Sequence, residues 1–137
     1  MQIAFTRFNY ALTALALALT LTFIGFAADR LRDRERRQAV AITMTSGDPS
    51  RAPAIFRRYG CGGCHVIPGI AGADGKVGGP LADLRQRIYI GGVASNTPEN
   101  LVQWIVLPQR FSANSAMPAT GISEAEARDL AAYLYAQ

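Results

Sequence analysis

Cys61-Gly62-Gly63-Cys64-His65 decides how the rest of this sequence is read. Two thiols two residues apart, followed at once by an imidazole, form the attachment pattern of a c-type haem: each sulfur adds to a vinyl group and the histidine binds the iron. These are the only cysteines and the only histidine in the chain, which leaves competing readings little to use. A structural zinc site usually needs four Cys or His ligands in two groups, and there is no second pair. A thioredoxin-like Cys-x-x-Cys wants a strand before it and a βαβ setting, and neither pattern is visible. A plain disulfide gives the adjacent histidine no role. The motif therefore points to one covalent haem c.

Outward from the motif, 137 residues, half of them hydrophobic, are enough for one small domain and an appendage. About a hundred residues outside the N-terminal apolar stretch is near the lower limit for a stable core, so a large flat cofactor is expected to be part of that core. The formal charge of +4 divides unevenly along the chain. Residues 1–37 carry Arg7, Arg30, Arg32, Arg34, Arg36 and Arg37 against Asp29, Asp33 and Glu35, while the remainder holds eight basic and seven acidic side chains. A nucleic-acid partner needs a basic face, and this near-neutral domain does not offer one.

From Tyr10 to Ala28 the sequence carries no charge. As a helix, roughly 19 residues at 1.5 Å rise span about 28 Å, enough to cross a bilayer. A cleaved signal peptide is the competing reading, with Arg7 ahead of the apolar run and Gly25-Phe26-Ala27 supplying small residues for a cleavage site. The length favours a retained anchor, and either reading exports the domain. Five arginines follow the segment and one precedes it, so the positive-inside rule alone would place the C-terminal side in the cytoplasm; the haem motif outweighs that objection. Ala14, Ala18 and Thr22 form a small-residue stripe, read first as part of a plain Ala- and Leu-rich anchor. Asp29 to Arg37 is a solvated or headgroup-contacting collar. Gln38 to Pro53, with a β-prone VAITMT and a turn at Gly47-Asp48-Pro49, is the linker. The expected divisions are 1–28 anchor, 29–52 collar and linker, and 53–137 haem domain.

Pro53 opens a short helix closed by Gly60, with Phe56 and Tyr59 on its inner face. The five glycines from Gly69 to Gly79 lack a phosphate-loop fingerprint and suit a loop running close to a flat group, where a Cβ would collide. Ala82 to Ile88 reads as a short helix with Leu84 and Ile88 buried. Arg85 and Arg87 are either haem-propionate partners or solvated. Thr97-Pro98-Glu99 starts a helix that Pro108 stops, with Leu101, Trp104, Ile105 and Pro108 on its core stripe. Trp104 is packing, or its indole N–H serves a propionate. Met117-Pro118 lies in a loop of small polar residues; a lone Met is usually core filler. Ser123 and Glu126 form a capping box ahead of a helix that buries Ala127, Leu130, Ala131 and Leu134 and turns Glu124, Arg128 and Asp129 to water.

The run from Phe56 to His65, F-x-x-x-G-C-x-x-C-H, resembles the start of a class I cytochrome c, and Gly79-Pro80-Leu81 and Met117-Pro118 are similar to two further elements of that family. The stretch from Gly60 to Gln137, with GCGGCHVIPG, GGPLADL, NTPENLVQWIVLPQ and AMP in order, is similar to the cytochrome c domain fused to subunit II of some haem-copper terminal oxidases. The resemblance implies an all-α class I fold around one haem, with first and last helices crossing so that Phe56 meets Leu130, Tyr133 or Leu134. The family often has a glycine near the start of the first helix, where this chain has Ala52 and Ala54. The resemblance also implies Cys61 and Cys64 as attachment points, His65 and Met117 as iron ligands, and the Pro80 carbonyl as acceptor of the His65 Nδ1–H, with Leu81, Arg87 and Trp104 completing the pocket. An oxidase subunit would also carry a copper domain with further Cys and His, which this chain lacks, so the module stands on its own anchor.

An iron closed by a histidine and a methionine has no open coordination position, so the expected role is single-electron transfer rather than catalysis on a small-molecule substrate. The expected setting is the bacterial inner membrane with the haem domain on the periplasmic side. The expected partners are the membrane and redox proteins of a respiratory or photosynthetic chain, terminal-oxidase or quinol-oxidising subunits among them. The alternative is the electron-accepting subunit of a periplasmic dehydrogenase.

Overall fold

The computed structural model describes residues 2–137, with side chains described at residue 10 and from residue 12 onward. Among the described residues the elements are α1 (Gln2–Thr45), α2 (Ala52–Arg58), the strands β1 (Tyr89–Ile90) and β2 (Ala94–Ser95), α3 (Pro98–Val106) and α4 (Glu124–Ala136), with 3-10 turns at Cys61–Gly63, Leu84–Gln86 and Pro108–Arg110. The chain divides into two compact units, Met1–Glu35 and Arg36–Gln137.

In the first unit the helix is apolar all round from Leu12 to Ala28, with Leu12, Leu15, Leu17, Leu19, Leu21, Phe23, Ile24 and Phe26 all exposed. The stretch Leu12–Thr45 contains a window of mean hydropathy 1.8 and is long and apolar enough to cross a membrane. Its threonines fit an apolar medium because their hydroxyls stay in the helix: Thr13, Thr20 and Thr22 donate to the carbonyls of Tyr10, Leu17 and Leu19 at 2.8–2.9 Å. The Arg30 guanidinium lies 4.8 Å over the Phe26 ring, and the flanking Arg7 side chain lies outside the described ones.

In the second unit the linker reading of Val40 to Thr45 is corrected: α1 continues to Thr45. Ala41 and Thr45 are each 1% exposed, and burial of one helical face overrides the β-propensity of the Val, Ile and Thr residues. Ser46, at φ 56, ends the helix, and the expected turn follows. Gly47 is required there, because a Cβ would stand 2.1 Å from the Arg128 carbonyl oxygen on α4. This close approach, rather than any at Ala52 or Ala54, is where the chain uses a glycine against the last helix. The turn also changes the fate of Asp129, expected to face water but 4% exposed. Its carboxylate accepts the Asp48 N–H at 2.7 Å and lies 3.3 Å from Arg51, since a backbone donor folded over α4 needs a partner.

The helices pack around α4. Phe56 on α2 meets Tyr133 edge-on, with ring centroids 5.6 Å apart at 74°, the crossing expected from the resemblance. Thr97 caps α3 by accepting the Asn100 N–H at 3.2 Å, and Leu101, Ile105 and Pro108 are buried as read, joined by Val102. The Ser123–Glu126 capping box is present, and Ala127, Leu130, Ala131 and Leu134 are buried on α4. The helix expected from Ala82 to Ile88 is only the turn Leu84–Gln86, and Ile88 is 77% exposed. Asp83 sits at φ 54, and the Asn96 side-chain amide takes the Leu84 and Arg87 carbonyls at 2.7 and 2.8 Å, so the next helical turn is replaced by a side-chain cap. Gly91 and Gly92, both at positive φ, close the hairpin β1–β2, which pairs Tyr89 with Ser95 and Ile90 with Ala94.

Candidate haem site

Gly60 at φ 68 ends α2 and turns the chain straight into the Cys61–Gly63 3-10 turn. Cys64 N–H and His65 N–H both donate to the Cys61 carbonyl, at 3.2 and 3.0 Å, so both thiols and the imidazole are presented from one tight turn. All three line a cavity of about 330 Å³. Its apolar wall comes from three helices: Phe56 from α2 with Tyr59 just after it, Leu101, Trp104 and Ile105 from α3, Leu130 and Leu134 from α4. Met117 and Pro118 close it from the loop between α3 and α4. Of the remaining sequence candidates, Leu81, Arg87 and Trp104 are in the lining and Pro80 is not.

The acceptor for the histidine differs from expectation. His65 Nδ1 is 2.7 Å from the carbonyl of Gly79, not that of Pro80. A carbonyl can only accept, so Nδ1 carries the proton and Nε2 keeps its lone pair for a metal. The Pro80 carbonyl accepts instead from Arg87 Nη2, which also donates to the Ala82 carbonyl at 2.9 Å. Arg87 thus braces the segment beside the histidine's acceptor.

The glycine-rich loop is close-packed, but against the attachment motif itself. A Cβ on Gly78 would stand 2.2 Å from His65 Cε1, and one on Gly75 would stand 2.3 Å from the Gly63 carbonyl. The Gly78 and Gly75 N–H groups donate to the Cys64 and Gly62 carbonyls at 2.8 and 3.1 Å, which holds the loop there. Tyr133 pins its start, donating to the Pro68 carbonyl at 2.6 Å.

Both cysteines are free, and burial pushes the Cys61 thiol above its ordinary pKa. Among the described residues no group of three or more His, Cys, Asp or Glu side chains comes together to hold a metal ion. Two free thiols, an imidazole with Nε2 available, a thioether and an apolar wall around one cavity fit haem c. Sequence reasoning missed two contributors. Tyr135 donates to Asn96 Oδ1 at 2.7 Å, tying α4 to the hairpin; the Gly-Gly pair was the available signal for that hairpin. Gln109 donates to the Met117 carbonyl at 2.8 Å, a contact without a sequence signature beyond its place just after Pro108.

Comparison with curated proteins gave no match. Comparison with solved structures gave none either. The family model for cytochrome c matches residues 50–136, from the turn before α2 to the end of α4. The chain belongs to the cytochrome c family, of class I, whose domain transfers electrons through covalently bound haem c.

Proposed function

We propose that this protein is a membrane-anchored carrier with a single haem c, passing one electron at a time in a respiratory or photosynthetic chain, to or within a terminal oxidase-type complex. The observation that carries the reading is the convergence of Cys61, Cys64, His65 and Met117 on one apolar cavity. Cys61 and Cys64 would hold the group as thioethers, His65 Nε2 and Met117 Sδ would bind its iron, and Leu81 would line its pocket. Arg87 and Trp104 serve its propionates, while Pro80 contributes indirectly by holding Arg87. When bound, the haem supplies a one-electron couple at an iron without an open coordination position.

The protein's part is to keep that couple dry and closed. A neutral thioether and an apolar wall favour the ferrous state, which suits a carrier late in an electron-transfer chain. The apolar first unit supports attachment to a membrane, and the haem-attachment motif is the ground for reading that membrane as the bacterial inner one with the haem unit on its periplasmic side. Tethering then substitutes a high local concentration for diffusional search among membrane partners. Residues 53–137, with seven basic and six acidic side chains, give no basis for strong electrostatic steering.

The test is expression in a host that exports and matures c-type cytochromes, followed by haem staining of membrane and periplasmic fractions and a pyridine haemochrome assay. One covalent haem per chain in the membrane fraction is expected. Prompt binding of carbon monoxide to the reduced protein at neutral pH would show an open position and overturn the closed-site reading. Copurification with oxidase subunits, against copurification with a dehydrogenase, decides the setting.

A further inference from the structure

We propose that Gln109 is the positioning residue that holds Met117 against the iron, an inference that rests on the His65/Met117 reading above. The loop 116–122 is anchored at its far end by Ile122, 4% exposed, but ahead of that little holds it: among the described residues it makes no backbone-to-backbone hydrogen bond. Ala116, Pro118, Ala119, Thr120 and Gly121 are exposed, and Met117 is half-buried. The hydrogen bonds that fix this loop converge on Met117, at both its backbone groups. Its N–H donates to Ser115 Oγ at 3.3 Å, and its carbonyl accepts from Gln109 Nε2 at 2.8 Å.

These two bonds are unlike in kind. Ser115 stands just before the loop, its own N–H donating to the Ser112 carbonyl at 3.0 Å, and its bond to Met117 spans only two residues. Gln109 reaches from a separate and rigid mount, the Pro108–Arg110 turn. Pro108 is buried, Phe111 N–H donates back to the Pro108 carbonyl at 3.1 Å, and Arg110 Nη1 reaches Gln103 Oε1 on α3 at 3.0 Å. The Phe111 ring lies 6.0 Å from that of Trp104. The other end of the Gln109 amide shows how the side chain is used: Oε1 is buried without a hydrogen-bond partner. Leaving an amide oxygen unpaired is costly, so the side chain is held in the orientation that aims its N–H at Met117. The reverse flip would set oxygen against oxygen.

A thioether is a neutral ligand that competes for the iron only when its loop delivers it. With so few bonds in that loop, the balance between delivered and withdrawn Met117 rests on the Gln109 bond, and losing one neutral hydrogen bond shifts such a balance about tenfold. The experiment uses the full-length ferric holoprotein and imidazole as a competing sixth ligand, with Gln109→Leu and the isosteric Gln109→Glu, which has no donor when ionised. Both variants are expected to keep covalent haem and far-UV helicity and to bind imidazole about tenfold more tightly than wild type. Wild-type imidazole affinity in both variants would overturn the inference. Loss of covalent haem in both would do so too, by showing that Gln109 supports the fold and not the ligand. The far-red sulfur-to-iron band separates the two layers. If wild type lacks it, or Met117→Ala keeps it, the Met117 reading fails and this inference with it; if Met117→Ala abolishes it while the Gln109 variants match wild type, only the Gln109 inference fails.

Discussion

Adding one methyl group at Gly78 tests the whole geometry of the histidine side of the cavity. Gly78 is not at a positive φ, so Gly78→Ala asks nothing unusual of the backbone; its effect is steric. The new Cβ would stand 2.2 Å from His65 Cε1 and 2.6 Å from Nδ1, roughly 1.3 Å inside the ~3.5 Å at which carbon atoms ordinarily meet. The imidazole cannot absorb that by rotating, because its Nδ1–H is already bonded to the Gly79 carbonyl at 2.7 Å. Withdrawal breaks that bond, at about 0.5–1.5 kcal/mol, and overpacks the turn, at about 1–3 kcal/mol. The sum, about 1.5–4.5 kcal/mol, is a large share of a small domain's stability. At about 4–8 °C per kcal/mol for a domain of this size, the holoprotein's Tm should fall by about 6–36 °C. Gly79→Ala is the control, since a Cβ there meets nothing within 4 Å and the carbonyl still accepts; its change should stay within about 1 kcal/mol. Thermal unfolding by far-UV circular dichroism, with the reduction potential measured on the same samples, reads both variants. Equal and small effects at the two glycines would refute the reasoning, because only the 2.2 Å approach distinguishes them.

Other perturbations follow from the same structure. Burial, with a smaller contribution from Glu99, raises the Tyr135 phenol from 10.0 to about 12. The folded state therefore holds that proton more tightly than the unfolded chain, and stability present below pH 10 is lost as pH rises toward 12; in Tyr135→Phe the decline in Tm over that window should be shallower. Tyr135→Phe also orphans Asn96 Oδ1, now bonded at 2.7 Å, so at neutral pH it should cost about 1–2 kcal/mol by chemical denaturation. Ser123→Ala should cost about 1 kcal/mol by removing the α4 cap, and an unchanged midpoint would show the capping box to be idle. Behind a cleavable signal, a chain beginning at Arg36 should give soluble holoprotein. One beginning at Ser46 should melt lower because it loses the buried Ala41 and Thr45.

Features governed by neighbours in the chain were legible in the sequence. The helix starts at Thr97 and Ser123 were readable because a cap is a local bargain between a side chain and the backbone within three residues; α2 has no side-chain cap and starts at Ala52, one residue before the proline that marked it. The stops at Gly60 and Pro108 are local for the same reason. The attachment motif, the apolar segment and the place of Met117 between two helices are local too. What was misread depends on residues far apart in sequence. Thr45 looks like part of a strand but ends α1 with its side chain buried, and Asp129 looks solvated until the Asp48 N–H arrives from 81 positions away. The acceptor for His65 could not be settled between adjacent carbonyls, because a one-residue rotation of the Gly79-Pro80 segment chooses between them.

The division between local and long-range control also explains how the site is built. The attachment turn is rigid by itself: the Cys61 carbonyl takes two N–H groups, and the glycine loop closes on it through Gly75 and Gly78. The methionine side has no such backbone framework: between Ser115 and the buried Ile122 its mostly exposed loop is held at Met117, by Ser115 and by Gln109 from outside it. Covalent attachment keeps the haem with the histidine whatever else moves, so opening of the molecule is expected on the methionine side first. Hydrogen exchange on the holoprotein should therefore find the Met117 amide exchanging faster than that of His65, whose N–H is bonded to the Cys61 carbonyl at 3.0 Å. Equal protection at the two ligands would mean that the haem, rather than the protein, orders both walls.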